Sequence, residues 1–156
     1  MPLFLSREFL LVTQILCTGY MTGLIWFVQV VHYPLFRSVA ELGPFSDYSN
    51  RHSQLTTLVV GPVMTLELAL SVAFALSGFK WGSALLMLTL VIWGTTFFVS
   101  VPCHNQLALG FDLFAWEKLV STNWIRTFAW SARSGLLGYL LFEFLVELNK
   151  QLTRIN

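Results

Sequence analysis

Charged residues are scarce in this chain. Asp, Glu, Lys and Arg make up 11% of its 156 residues, and apolar types make up 56%. A typical soluble domain carries roughly 25% charged residues, so composition excludes an ordinary soluble domain and favours an integral membrane protein in contact with a lipid bilayer. The formal net charge is +1, and no nucleic acid partner is expected because recognition of nucleic acid needs a basic surface.

Cysteine is nearly absent. The chain holds only Cys17 and Cys103, without a CxxC pair. In the predicted topology they lie toward opposite membrane faces, too far apart for a disulfide. There is also no internal repeat or low-complexity segment, so the length indicates a single domain over residues 1–156.

Long apolar runs dominate what is present. Four stretches can each supply the roughly 20 residues that a membrane-spanning helix needs. The predicted helices cover about 9–36, 53–76, 81–102 and 120–147. We therefore expect an all-α fold, an integral membrane antiparallel four-helix bundle with both termini on one side.

The orientation and oligomeric state are less determined. Lys and Arg are equally numerous near the two sides, so the positive-inside rule does not decide orientation. More acidic residues in the first and third loops favour cytoplasmic termini. Gly19 and Gly23 form a small-xxx-small pattern that lets helices approach closely. We expect it to serve packing within the bundle, and a homo-oligomer stays open.

Prolines are expected to interrupt the helices. Pro34 should bend or end the first helix, and Pro102 should end the third. Gly61-Pro62 should kink the second helix. A short interfacial helix is expected from Pro44 in the first loop.

A polar stripe runs along the fourth predicted helix. Asn123, Arg126, Trp130 and Arg133 follow one another at steps of three and four, which places them on one helical face. A charge at bilayer depth costs at least about 2.5–3.5 kcal/mol. The stripe must therefore face polar partners inside the bundle.

Glu67 is the expected partner of Arg133. It stands alone in an apolar run of the second helix. Counted from the shared membrane side at roughly 1.5 Å per residue, both residues lie about 20 Å along their helices. We predict a buried structural ion pair between them, since pairing relieves the cost of both charges.

All three histidines are predicted at one end of the bundle. Up-down threading brings His32, His52 and His104 to the side of the first and third loops, together with Arg126. They could be interface anchors, ligands of a zinc, copper or iron ion, axial ligands of a haem, or acid–base groups of a metal-free pocket. No compact HxH, HxxH or HxxxH spacing supports the metal, so the cofactor stays unknown, with none as the default.

Two short motifs resemble those of a known family. They follow the third helix and open the fourth: Val101-Pro102-Cys103-His104-Asn105-Gln106-Leu107 and Asn123-Trp124-Ile125-Arg126-Thr127. The family is the group of small four-helix membrane proteins that includes anthrone oxygenases. The resemblance implies oxidation of anthrones to anthraquinones by molecular oxygen without an added cofactor. The matching positions are Pro102, Asn105, Leu107, Asn123 and Arg126; His32, His104 and Glu67 are not part of the resemblance.

The expected function is that of a small membrane oxidoreductase or oxygenase with a polar pocket for a hydrophobic, phenolic or quinone-like small molecule. The pocket should open at the side of the first and third loops. His32 and His104 would be the acid–base or metal-binding groups, and Arg126, Asn105 and Asn123 would hold a substrate oxygen. The apolar walls would come from Trp26, Trp93, Trp130 and Tyr33. The alternative is a non-enzymatic binding or carrier module, or a subunit of a larger membrane complex.

Overall fold

Four long helices account for nearly all of the structure, a computed structural model that describes residues 7–41 and 43–155. No strand occurs among these residues. Helix α1 (residues 7–40) joins Arg7–Phe27, a π-helical turn Val28–His32 and Tyr33–Ala40. Helix α2 is Phe45–Leu76. Helix α3 (residues 82–107) joins Gly82–Thr95, a π-helical turn Thr96–Ser100 and Val101–Leu107, and helix α4 is Leu113–Ile155.

Neither Pro34 nor Pro102 ends its helix, so the expected helix end at Pro102 is wrong. Each follows a π-helical turn, Val28–His32 or Thr96–Ser100. The residue before the proline donates its N–H to the carbonyl five residues earlier. The hydrogen-bond register thus changes where proline has no N–H to give, and the helix continues. Helix α2 likewise continues through Pro62.

Two helices begin earlier than predicted. Helix α2 starts at Phe45 rather than near residue 53, so the expected interfacial helix is part of it. Helix α4 starts at Leu113 rather than near residue 120. Asp112 caps this start, since its Oδ1 accepts the backbone N–H of Ala115 at 2.7 Å.

Helix α1 packs against α2 and α4, and α3 packs against the same two helices. Hydrogen-bonded pairs between α1 and α2 run in opposite chain order. Gln14 meets Ser71, and His32 meets His52. Gly19 and Gly23 lie on the exposed side of α1 with no atom within 4 Å of an added Cβ. The expectation that they serve packing inside the bundle is therefore wrong.

Three apolar clusters alternate with two polar layers along the bundle. The base cluster is Leu10, Leu11, Leu70, Phe74, Leu85, Leu137 and Leu140. The middle cluster is Met21, Ile25, Met64, Ile92, Ala129 and Trp130. The cap cluster is Tyr33, Phe36, Phe45, Cys103, Leu107, Ala115 and Leu119. Read along α4, Arg133 lies between the base and middle clusters, and Arg126 lies between the middle and cap clusters.

Three of the four helices are long and apolar enough to cross a membrane: Glu8–Ala40, Phe45–Leu76 and Gly82–Leu107. Large apolar side chains point outward on every helix, among them Leu16, Leu58, Phe98 and Phe128. Helix α4 is not among these three helices. Its inward face carries Arg126 and Arg133, both of them buried.

Candidate functional site

The first polar layer surrounds Arg133, and all four helices contribute to it. The guanidinium donates to six oxygens. Nη1 donates to Leu85 O at 2.7 Å, to Ser71 Oγ at 3.2 Å and to Thr89 Oγ1, and Nη2 donates to Gln14 Oε1 at 2.8 Å, Thr18 Oγ1 at 3.2 Å and Glu67 Oε1 at 3.4 Å. The predicted contact between Glu67 and Arg133 is present.

Neutral groups complete the coordination of Glu67. Thr18 Oγ1 donates to Oε1 at 2.6 Å, and Trp130 Nε1 donates to Oε2 at 3.0 Å. The side chains of Glu67 and Arg133 are at most 2% exposed. This layer is enclosed and joins all four helices by hydrogen bonds.

The second polar layer is built around Arg126. Its Nη2 donates to Tyr33 Oη at 3.3 Å and to Asn123 Oδ1, and Nη1 lies 3.5 Å from Thr96 Oγ1. Asn123 Nδ2 in turn donates to Gln29 Oε1 at 2.8 Å. Asn123 thus joins α4 to α1 and positions the guanidinium of Arg126.

Arg126 is a buried cation without a carboxylate partner. It is 7% exposed. Within the described part of the chain it forms no ion pair, and its buried Nε has no hydrogen-bond partner. Burying an unpaired charge is costly. Its environment therefore favours an added anionic group.

Tyr33 links Arg126 to His104. The Tyr33 hydroxyl accepts from Arg126 and lies 3.1 Å from His104 Nε2. Because the hydroxyl already accepts one N–H, its own proton is free to be donated to His104 Nε2. Nδ1 of His104 is buried and has no partner among the described residues. Both nitrogens of His104 are therefore withdrawn from solvent.

The other two histidines pair with each other. His32 Nε2 lies 2.9 Å from His52 Nδ1, and Thr56 Oγ1 lies 3.2 Å from the same Nδ1. The ring centroids of His52 and His104 are 5.4 Å apart, and the Phe36 ring meets His32 and His52 edge-on. The prediction that all three histidines share one end of the bundle is confirmed.

The histidines do not form the metal site that was considered. No group of three His, Cys, Asp or Glu side chains in the described ranges is arranged to hold a metal ion. His32 and His52 turn facing nitrogens toward each other, and His104 turns Nε2 toward Tyr33. The three rings form a row rather than converging on one point.

A cavity of about 220 Å³ adjoins this layer. Its wall is formed by α2, α3, Arg126 and one tyrosine: Tyr33, His52, Ser53, Thr56, Thr57, Val60, Thr96, Ser100, Val101, His104, Asn105 and Arg126. The cavity lies beside the histidines, toward the end of the bundle that carries the first and third loops. Among the described residues of the two connecting segments on this side, 41, 43–44 and 108–112, none lines it. The exposed Thr57, Val101 and Asn105 place the opening between α2 and α3.

A more apolar groove of about 240 Å³ lies between α1 and α2. Its lining residues are Leu24, Phe27, Val28, His32, His52, Leu55, Thr56, Val59 and Val60. His52, Thr56 and Val60 also line the cavity beside Arg126. This ridge of α2 is a shared wall of the two spaces.

The predicted site residues are only partly brought together. Asn105 lines the cavity but makes no side-chain hydrogen bond within the described residues, so the expected cluster of Asn105 with Asn123 and Arg126 forms without it. His32 lines the groove instead of the cavity.

Of the four expected wall residues, only Tyr33 lines the cavity. Trp26 is exposed and bonds Ser131 at 3.0 Å, and Trp93 packs against the middle cluster. Trp130 lies inside that cluster and donates its indole N–H to Glu67 Oε2.

Sequence reasoning missed two members of the Arg126 layer. Gln29 and Thr96 are the α1 and α3 contributions. Gln29 could have been found, since it is a lone amide in an apolar run. Thr96 could not, because threonine is common on either face of such helices and usually bonds its own backbone, as Thr96 also does.

Comparison with known proteins gives no relative: no family model, curated protein or solved structure matches the chain. The resemblance to anthrone oxygenases stays a prediction.

Proposed function

We propose that this chain is an antiparallel four-helix membrane protein whose cavity beside Arg126 binds an acidic oxygen of a hydrophobic, phenolic or quinone-like molecule. We further propose that it oxidises this molecule with dioxygen. All four helices would cross the bilayer, which puts both termini on one side.

The outward surface of α4 supports its insertion. Ile125, Phe128 and Phe142 are exposed, while Arg126 and Arg133 are buried. The charges that lower the mean hydropathy of α4 therefore face the bundle and not lipid. Such an arrangement is how intramembrane arginines are tolerated.

The uncompensated charge of Arg126 carries the proposal. This guanidinium borders the cavity, is buried, and has no carboxylate beside it in the described ranges. Preorganised donors of this kind stabilise an oxyanion most strongly where water is excluded. The cavity wall otherwise mixes hydroxyl, imidazole and aliphatic groups, which suits a flat apolar body with one polar edge.

The chemistry follows from such a complex. Arg126 would hold the ionised oxygen of a phenol or enol and so favour loss of a proton from the substrate. The electron-rich anion then reacts with dioxygen. For an anthrone, the CH₂ becomes C=O, one oxygen atom enters the product and the other leaves as water. Whether a cofactor assists stays open.

Oxygen uptake by the protein in lipid nanodiscs, with anthrone as probe substrate, tests this function. We expect uptake above that of empty nanodiscs. Arg126→Gln should reduce it on the order of 10²-fold, as loss of an oxyanion donor does. Arg126→Lys should retain only part of the oxygen uptake, because lysine keeps the charge but lacks the planar fork of the guanidinium. Arg37→Gln, at an exposed arginine of α1, is the matched control and should leave uptake unchanged.

Two results would contradict the proposal. Uptake equal to that of empty nanodiscs would exclude oxygenase activity toward this probe, and Arg126-dependent binding of phenols without uptake would support the binding module instead. Equal uptake by wild type and Arg126→Gln would exclude the role of Arg126.

A further inference from the structure

His52 stands between the cavity and the groove. It lines both spaces, whereas His32 lines only the groove and His104 only the cavity. A histidine in this position can contact a ligand in the cavity and transfer a proton toward the groove.

We propose that His52 is the base that takes the acidic proton of the ligand, and that His32 relays this proton to the α1–α2 groove. The inference rests on the proposed function, since it assumes a phenolic or enolic ligand held at Arg126. It assigns to His52 the acid–base role that the sequence suggested for His32 and His104.

The contacts of the three rings argue for His52. His104 has Nε2 beside the Tyr33 hydroxyl and Nδ1 buried, so neither nitrogen is available to a ligand. Nε2 of His52 makes no hydrogen bond in the described part of the chain and is not enclosed by protein. Among the three histidines, His52 is therefore the one that lines the cavity and keeps a ring nitrogen without a protein partner in the described part of the chain.

The hydrogen bond between His32 and His52 supplies the relay step from His52 to His32. The two facing nitrogens are 2.9 Å apart, a good hydrogen-bond distance. When His52 Nδ1 carries the proton and donates to His32 Nε2, His52 Nε2 has a free lone pair and His32 Nδ1 carries a proton. Nδ1 of His32 also makes no hydrogen bond within the described ranges and is not enclosed.

The proton steps balance. The O–H bond of the ligand breaks and its proton goes to His52 Nε2, which leaves the oxyanion at Arg126. The Nδ1 proton of His52 moves to His32 Nε2. The Nδ1 proton of His32 then leaves to a water or lipid headgroup acceptor at the groove. Both rings end as neutral opposite tautomers, and the net result is one ligand anion and one released proton.

The test uses 4-nitrophenol, whose anion is yellow, mixed rapidly with the protein in nanodiscs at a pH where the free phenol is mostly protonated. The rate at which bound phenolate appears is measured. His32→Gln keeps one hydrogen-bonding group opposite His52, but an amide cannot accept a proton at one atom and release another. We expect this variant to slow phenolate formation on the order of 10²-fold, with the final absorbance unchanged.

Added imidazole should restore the rate in His32→Gln, since a small base can replace the missing relay. His52→Gln should slow the same step, and Tyr48→Phe, which keeps the ring stacked on His52, should not. A wild-type rate in His32→Gln, or a slow rate that imidazole does not restore, would overturn the relay. A wild-type protein that binds no phenolate would overturn the proposed function itself and this inference with it.

Discussion

Arg133 and Glu67 face each other in the centre of the bundle, with Nη2 3.4 Å from Oε1 and both side chains enclosed. The closer partner of that carboxylate oxygen is Thr18, whose hydroxyl lies at 2.6 Å. The two charges therefore share a network of neutral groups rather than forming an isolated pair. Among the described residues, the buried Nε of Arg133 has no hydrogen-bond partner, while both of its terminal nitrogens donate within the network.

Removing one charge should harm the fold more than removing both. Glu67→Gln or Arg133→Leu alone strands a buried charge or several polar groups, at about 3–5 kcal/mol. Arg133→Leu should be the worse of the two, since six acceptor atoms each lose one donor. The double variant should lose less than the sum. Thermal unfolding in detergent measures this, and single variants as stable as wild type would disprove it.

The exposed pair Lys80–Glu143 offers a matched contrast. It is shorter, at 2.8 Å, but solvated, so Glu143→Gln should change thermal unfolding little. The hydrogen bond that Lys80 donates to Glu143 raises the pKa of Lys80 above its ordinary value. The contact is thus fully present below the unfolded pKa of Lys80 and is lost as the pH rises through the higher folded pKa. NMR titration should show Lys80 of Glu143→Gln deprotonating at lower pH than in wild type; identical titrations would contradict the contact.

Sequence reasoning reached the features that depend on helical counting. The contact between Glu67 and Arg133 could be predicted because depth along a helix follows from residue number. The proximity of the three histidines could be predicted from up-down threading of the helices. It failed where one hydrogen bond changes the outcome. The π-helical turns before Pro34 and Pro102 carry no composition signal, so both helix ends were misplaced. The cap cluster around Phe36 depends on how rings pack and not on their spacing.

Two indole donors of α4, the buried Trp130 and the partly buried Trp116, should differ in importance. Trp130 Nε1 donates to the Glu67 carboxylate at 3.0 Å, and Trp116 Nε1 donates to the Tyr33 carbonyl at 2.8 Å. A hydrogen bond to a charged group contributes about 1.5–3 kcal/mol, and one to a neutral group about 0.5–1.5 kcal/mol. Trp130→Phe should therefore destabilise more than Trp116→Phe in detergent unfolding. The reverse order would mean that the carboxylate does not need this donor.

Supplying Arg126 with a counter-charge should abolish its affinity for anions. Asn123→Asp places a carboxylate where Asn123 Oδ1 already accepts from Arg126, with nearly the same shape. We expect a folded protein whose binding of 4-nitrophenolate is weakened tenfold or more, about 1.4 kcal/mol. Asn50→Asp, at an exposed asparagine of α2, is the control. Unchanged binding in Asn123→Asp would argue that Arg126 does not hold the anion.

The charge of Arg126 should be satisfied by an anionic oxygen of a hydrophobic ligand. The most direct measurement is equilibrium binding of 4-nitrophenolate and of its neutral methyl ether, 4-nitroanisole, to wild type, Arg126→Gln and the control Arg37→Gln in nanodiscs. We expect wild type and Arg37→Gln to prefer the phenolate at least tenfold, which corresponds to about 1.4 kcal/mol. Arg126→Gln should lose this preference and keep its affinity for the ether. Equal affinities of wild type for the two probes, or a preference that survives Arg126→Gln, would contradict the claim.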